Sequence, residues 1–145
     1  MLLGKISDCK NSLTSWQDQL KSVNCDYKPG QRGYQVSAGD VDELVAVVYA
    51  EYQHRLAMAN AVDFDDLIMR TVELFQSCPQ VSEYYRHKFR YIFVDEYQDT
   101  NHAQYVLVRE LSGIDSGEEP DQHMRGAGRV GPSWITVVGD SDQSI

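Results

Sequence analysis

Several familiar signals are missing from this chain. Its three cysteines (Cys9, Cys25, Cys78) are odd in number, far apart and form no CxxC pair. Neither a disulfide framework nor a zinc site follows, and a reducing compartment is expected. His54, His87, His102 and His123 stand at no metal-ligand spacing from another His or Cys. No apolar run reaches the roughly 18–20 residues that cross a bilayer, so no membrane partner is expected. Met1-Leu2-Leu3-Gly4-Lys5 turns polar too soon for a secretory signal. Basic residues are scarce as well. Residues 1–60 hold six Lys/Arg against seven Asp/Glu, residues 61–145 hold seven against fifteen, and the net charge is −9. Affinity for a phosphate backbone comes largely from Lys and Arg that release counterions. The chain alone should therefore bind nucleic acid poorly.

What is present suits a soluble globular protein: 145 residues, 42% hydrophobic and 24% charged. That length fits one domain or two small ones. Ile6, Cys9, Leu13, Trp16 and Leu20 form a stripe predicting one helix of about four turns. Residues 24–39, with three glycines and a proline, read as a loop. Asp40, three before Glu43, opens a second helix in the manner of a capping box. Its predicted inner face is Val41, Leu44, Val45, Val48, Tyr52, Leu56 and Ala59. Asp63 and Asp66 bracket a third start, where carboxylates suit the helix dipole. Leu67, Ile68, Thr71, Leu74 and Phe75 follow as its buried face, and Pro79 opens a short helix through Tyr84 and Tyr85. The tyrosines at helical spacing (Tyr49, Tyr52, Tyr84, Tyr85, Tyr105) are expected to pack rather than to stack on bases.

The texture then changes. Tyr91-Ile92-Phe93-Val94 is a continuous apolar run, the pattern of a parallel strand buried on both faces. A helix from about Asn101 to Leu111 should turn Tyr105, Val108 and Leu111 inward. Residues 113–133, with five glycines and two prolines, read as a long loop. Trp134-Ile135-Thr136-Val137-Val138 is a second strand. The fold class expected is mainly α with a small parallel β portion.

Both strands run into polar residues. Ligands of open α/β sheets bind at the carboxyl ends of parallel strands. An Asp there holds Mg²⁺ in nucleotide hydrolases, usually through water, and a following Glu orients or deprotonates the attacking water. Asp95 and Glu96 fit those roles, although a helix-capping carboxylate pair reads the same way. Gly139, Asp140, Ser141, Asp142, Gln143 and Ser144 follow the second strand, either as a turn or as a second wall of one crevice. Asp140, Asp142 and Ser144 mimic the start of a calcium loop, but Ile145 stands where that loop needs glycine. The basic cluster Arg86-His87-Lys88-Phe89-Arg90 suits either a phosphate or a helix C-terminus.

Together, Val94-Asp95-Glu96-Tyr97-Gln98-Asp99-Thr100-Asn101 and Val138-Gly139-Asp140-Ser141-Asp142-Gln143-Ser144-Ile145 resemble motifs II and III of superfamily 1 DNA helicases of the UvrD/PcrA/Rep group. Phe64-Asp65-Asp66-Leu67 and Tyr84–Tyr91 resemble further segments of that group. The resemblance is strong over 62–112 and 134–145, weaker over 5–60 and absent over 113–133. It implies part of an α/β RecA-like (P-loop NTPase) domain over 63–145, with residues 1–62 in an inserted helical subdomain. Asp95 would be the Mg²⁺-associated carboxylate and Glu96 the residue activating water against the γ-phosphate of ATP. Gln143 would contact that phosphate and couple hydrolysis to movement on single-stranded DNA. Gln98, Asp99, Asp140 and Asp142 would support them. The implied protein is an ATP-dependent helicase of the bacterial cytosol that acts on single-stranded and duplex DNA in repair or replication.

The departures carry expectations too. No G-x-x-x-x-G-K-[ST] loop occurs in these residues, so no backbone cradle for phosphates is expected and the chain alone should hydrolyse almost nothing. The sequence therefore reads as an internal fragment, with open sheet edges through which it would self-associate. Two other readings stand beside this one: a non-catalytic protein- or DNA-interaction module, and part of a RecB/AddA-like helicase–nuclease.

Overall fold

A computed structural model describes residues 2–114 and 132–140. Six helices and two strands follow in the order α1 (Leu2–Asn11), α2 (Trp16–Ser22), α3 (Val41–Met58), α4 (Phe64–Ser77), α5 (Pro79–Lys88), β1 (Tyr91–Val94), α6 (His102–Ser112) and β2 (Trp134–Val137). The expected class, mainly α with a small parallel sheet, is what forms. The chain divides into two compact units, Met1–Met69 and Arg70–Ile145. None of the described helices is long and apolar enough to cross a membrane.

In the first unit the predicted four-turn helix is two helices. The stripe is interrupted at Leu13, whose φ of 57° is left-handed, and Ser15 starts a new helix by accepting the Asp18 N–H on its Oγ at 3.1 Å. Local hydrogen bonding by a serine side chain outcompetes continuation of the helix. Residues 24–39 form no helix or strand, as expected. They are held instead by two carboxylates of α3. Glu43 accepts from the Tyr34 hydroxyl at 2.6 Å and the Ser37 N–H at 2.8 Å. Glu51 accepts from the Tyr27 hydroxyl and the Gly30 N–H, both at 2.9 Å. Asp40 caps α3 through the Glu43 N–H. The Glu43 side chain faces the loop, so the capping box is only half made.

The faces of α3 and α4 are rotated from the predicted ones. Glu43, Val45, Ala46, Tyr49, Ala50 and Gln53 are the buried residues of α3, while Val41 and Leu44 are exposed. On α4, Met69, Val72 and Phe75 are buried, whereas Leu67 and Leu74 face outward. A buried polar anchor sets the rotation. The Lys10 ammonium, its side chain fully buried, contacts Asp63 Oδ2 at 2.6 Å and Asp66 Oδ1 at 3.1 Å. The Tyr52 hydroxyl donates to Asp63 and the Gln53 amide to Asp66. Asp63 and Asp66 also accept each other's backbone N–H at the start of α4. With Asp66 turned inward, Met69, Val72 and Phe75 follow at steps of three.

The second unit holds the sheet. β1 and β2 pair in parallel, with Tyr91 opposite Trp134 and Val94 opposite Val137. β1 is not buried on both faces as expected: Tyr91 and Phe93 are 82% and 66% exposed, and β2 is its one partner strand among the described residues. On α6, Ala103, Val106 and Ser112 are buried, Val108 and Leu111 half-buried, and Tyr105 exposed. Of the other tyrosines expected to pack, Tyr49 is buried, Tyr52 and Tyr85 are half-buried and Tyr84 is exposed. From the basic cluster, Arg86 donates its Nε–H to the Glu110 carbonyl at 2.7 Å and pairs with the Glu110 carboxylate. It thus serves a helix C-terminus, that of α6 rather than its own. The start of β2 is fixed by Ser133, whose N–H donates to the Ser112 carbonyl at 2.8 Å and whose hydroxyl donates to the Phe89 carbonyl. Of the predicted 113–133 loop, residues 115–131 lie outside the described residues.

Candidate active site at the strand tips

Parallel pairing in register carries both strands to the same end of the sheet. The ladder continues past them: the Val138 N–H donates to the Val94 carbonyl at 2.8 Å, and the Tyr97 N–H to the Val138 carbonyl at 3.0 Å. Between these bonds the chain turns sharply at Glu96, whose φ of 50° and ψ of 42° are left-handed. That conformation costs a non-glycine residue roughly 1–2 kcal/mol. It is supported by Asp95, whose Oδ1 accepts the Glu96 N–H at 2.9 Å. One turn of 3₁₀-helix follows over Tyr97–Asp99. Asn101 then opens α6 with a complete capping box, exchanging hydrogen bonds with Gln104 at 2.9 and 3.0 Å. The backbone that carries the carboxylates is thus fixed on both sides, by a strand and by a capped helix.

Gln98 joins the two strand tips. Its Nε2 donates to Glu96 Oε2 at 2.5 Å, and its Oε1 accepts the Asp140 N–H at 3.1 Å. A carboxylate only accepts and a backbone N–H only donates, so one orientation of the amide satisfies both. Gly139 makes room for this contact, because a Cβ there would stand 2.7 Å from Gln98 Oε1. A crevice of about 430 Å³ opens beside β1, and Asp95, Glu96, Asp99, Thr100 and Gln104 line it.

Three carboxylates on one rim give the crevice negative charge. Glu96 is exposed, with one oxygen held by Gln98. Such a carboxylate is oriented and open to water, which is what a proton acceptor requires. Among the described residues no group of three or more His, Cys, Asp or Glu is arranged to hold a metal ion. A magnesium ion that arrives with a nucleotide needs only one or two protein carboxylates.

Of the residues singled out in the sequence, Asp95, Glu96, Gln98, Asp99 and Asp140 lie together at these tips. Gln143 and Asp142 lie outside the described residues. Gly139 was legible only as turn chemistry. The signal for its steric role was a glycine standing between a strand and an acidic residue. The Lys10 anchor gave no signal in the sequence beyond the two aspartates it holds.

The UvrD/REP helicase N-terminal domain family model matches residues 2–145. The ATP-dependent DNA helicase UvrD1 of Mycobacterium leprae (strain TN) is 45% identical over 145 residues, which is 100% of this chain and 16% of that protein. The protein of the same name from Mycobacterium tuberculosis (strain ATCC 25618 / H37Rv) is 46% identical over the same shares. The ATP-dependent DNA helicase PcrA of Bacillus subtilis (strain 168) is 43% identical over 144 residues, 99% of this chain and 15% of that protein. The chain therefore spans about one sixth of the length of these curated relatives. With the family model covering nearly every residue, the chain belongs to the UvrD/REP helicase N-terminal domain family.

Proposed function

We propose that these residues supply part of the ATP-hydrolysis centre of an ATP-dependent DNA helicase of the cytosol. In this reading residues 63–145 are part of a RecA-like domain and residues 1–62 belong to a helical subdomain inserted in it. Glu96 accepts a proton from the attacking water as its oxygen bonds to the γ-phosphorus and the bond to the leaving ADP oxygen breaks. Asp95 is the residue to associate with Mg²⁺ through water: its side chain is exposed, and among the described residues one of its oxygens is engaged, by the Glu96 N–H. The chemistry that ion supplies is neutralisation of charge on the phosphates. Gln143 contacts the γ-phosphate, Asp99, Asp140 and Asp142 support the site, and hydrolysis drives movement on single-stranded or duplex DNA.

The observation that carries this reading is the meeting of Asp95–Glu96 and Gly139–Asp140 at neighbouring strand tips, bridged by Gln98. The test is Glu96→Gln in the full-length protein. Turnover of ATP should fall by about 10²–10⁴-fold while nucleotide binding stays nearly intact. Unchanged turnover would overturn the reading in favour of a non-catalytic interaction module. On the catalytic reading, the 145 residues by themselves hydrolyse almost nothing.

A further inference from the structure

We propose that Gln98 is a positioning residue, which aims the Glu96 carboxylate by tying it to the tip of the second strand. This rests on the reading of Glu96 as the base. Three observations converge on it. Glu96 sits on a left-handed turn, exposed, so its own backbone and packing leave the carboxylate free to swing. One amide then spans the gap, donating to Glu96 Oε2 and accepting from the Asp140 N–H, residues 44 apart in the chain. And Gly139 carries no side chain at the one place where a Cβ would collide with that amide oxygen.

The consequence is a mechanical one. The direction of the base is referred to β2, not to β1, from which Glu96 itself emerges. Any shift of Gly139–Asp140 moves Gln98 Oε1, and Nε2 turns with it because the amide is planar. A base misplaced by about 1 Å forfeits up to about a hundredfold in rate without loss of binding.

Three substitutions in the full-length protein test this. Gln98→Ala removes both bonds and should lower kcat for ATP about tenfold to a hundredfold, with the Kd for a non-hydrolysable nucleotide and the Tm unchanged. Gly139→Ala leaves Gln98 chemically intact and displaces only the end of a flexible side chain. The same kcat loss at constant Kd and Tm is expected, and this variant stands in if Gln98→Ala fails to fold. Gln98→Glu still accepts from Asp140 but sets a carboxylate against Glu96. Its kcat should therefore fall at least as far as that of Gln98→Ala, again at constant Kd for the nucleotide.

The alanine changes should also add nothing to Glu96→Gln, since an absent base cannot be misaimed. If Glu96→Gln abolishes hydrolysis but Gln98→Ala and Gly139→Ala leave kcat intact, the positioning role is wrong and the catalytic reading stands. Multiplicative losses in the double variants, or a Gln98→Glu variant as active as the parent, would also overturn it. If Glu96→Gln is itself active, the underlying reading has failed first.

Discussion

Lys10 brings an ammonium into the interior of the first unit with its side chain fully buried, and two aspartates receive it. The ring of Tyr52 lies 5.1 Å beneath it. Removing one partner of a buried ion pair leaves an uncompensated charge and costs about 3–5 kcal/mol. Lys10→Met should therefore lower the unfolding free energy in urea by that amount. A loss under about 1 kcal/mol would mean that water reaches the site. Burial raises the Asp63 carboxyl, but the Lys10 ammonium, the Asp66 N–H and the Tyr52 hydroxyl outweigh it, so the group ends below its ordinary value. Its contribution is present above the usual Asp range and is lost as pH falls through the depressed value. At this scale the sequence was only half legible. Asp63 and Asp66 were visible as a helix start, whereas a lysine in the polar string Ser7-Asp8-Cys9-Lys10-Asn11-Ser12 reads as a solvated side chain until its partners are known.

At the scale of elements, the positions of most helices and both strands were legible because periodicity and caps are local. The break at residues 12–15 was not, since an unbroken apolar stripe outweighed the Ser15 cap. The rotations of α3 and α4 were hidden for a different reason. Their inner faces use Ala46, Ala50, Gln53 and Asp66, small or polar residues that hydrophobicity does not mark. The loop over 24–39 depends on Glu51, whose carboxyl is lowered from 4.5 to about 2 by Arg55, the Gly30 N–H and the Tyr27 hydroxyl. A depressed carboxylate stabilises the fold above its unfolded value, and that share is lost as pH falls from about 4.5 toward 2. Glu51→Gln keeps an acceptor oxygen without the charge. Its urea midpoint should lie below that of the parent chain at pH 7, and the gap should narrow at pH 3.5. A gap independent of pH would show that the charge contributes nothing there.

For the whole molecule, the chemistry at the strand tips was legible as two strings of residues and the parallel sense of the strands was expected, but that the two are immediate neighbours in register is not encoded in any local pattern. The sheet that joins them has two strands among the described residues, so each keeps one unpaired edge. Tyr91, Phe93 and Trp134 stand largely exposed on it. Open edges bearing apolar side chains invite pairing with another chain. Light scattering on the 145-residue chain should give a mass above 16.5 kDa that grows with concentration; a monomer throughout would count against edge pairing. The hydrogen bond between Ser112 and Ser133 has a wider consequence. It closes a neck, because the chain leaves α6 and re-enters at β2 at nearly the same point. The neck fixes where β2 begins, so the position of the tip at Gly139 is referred through Ser133 to the end of α6 and to Phe89 as well as to its neighbour strand.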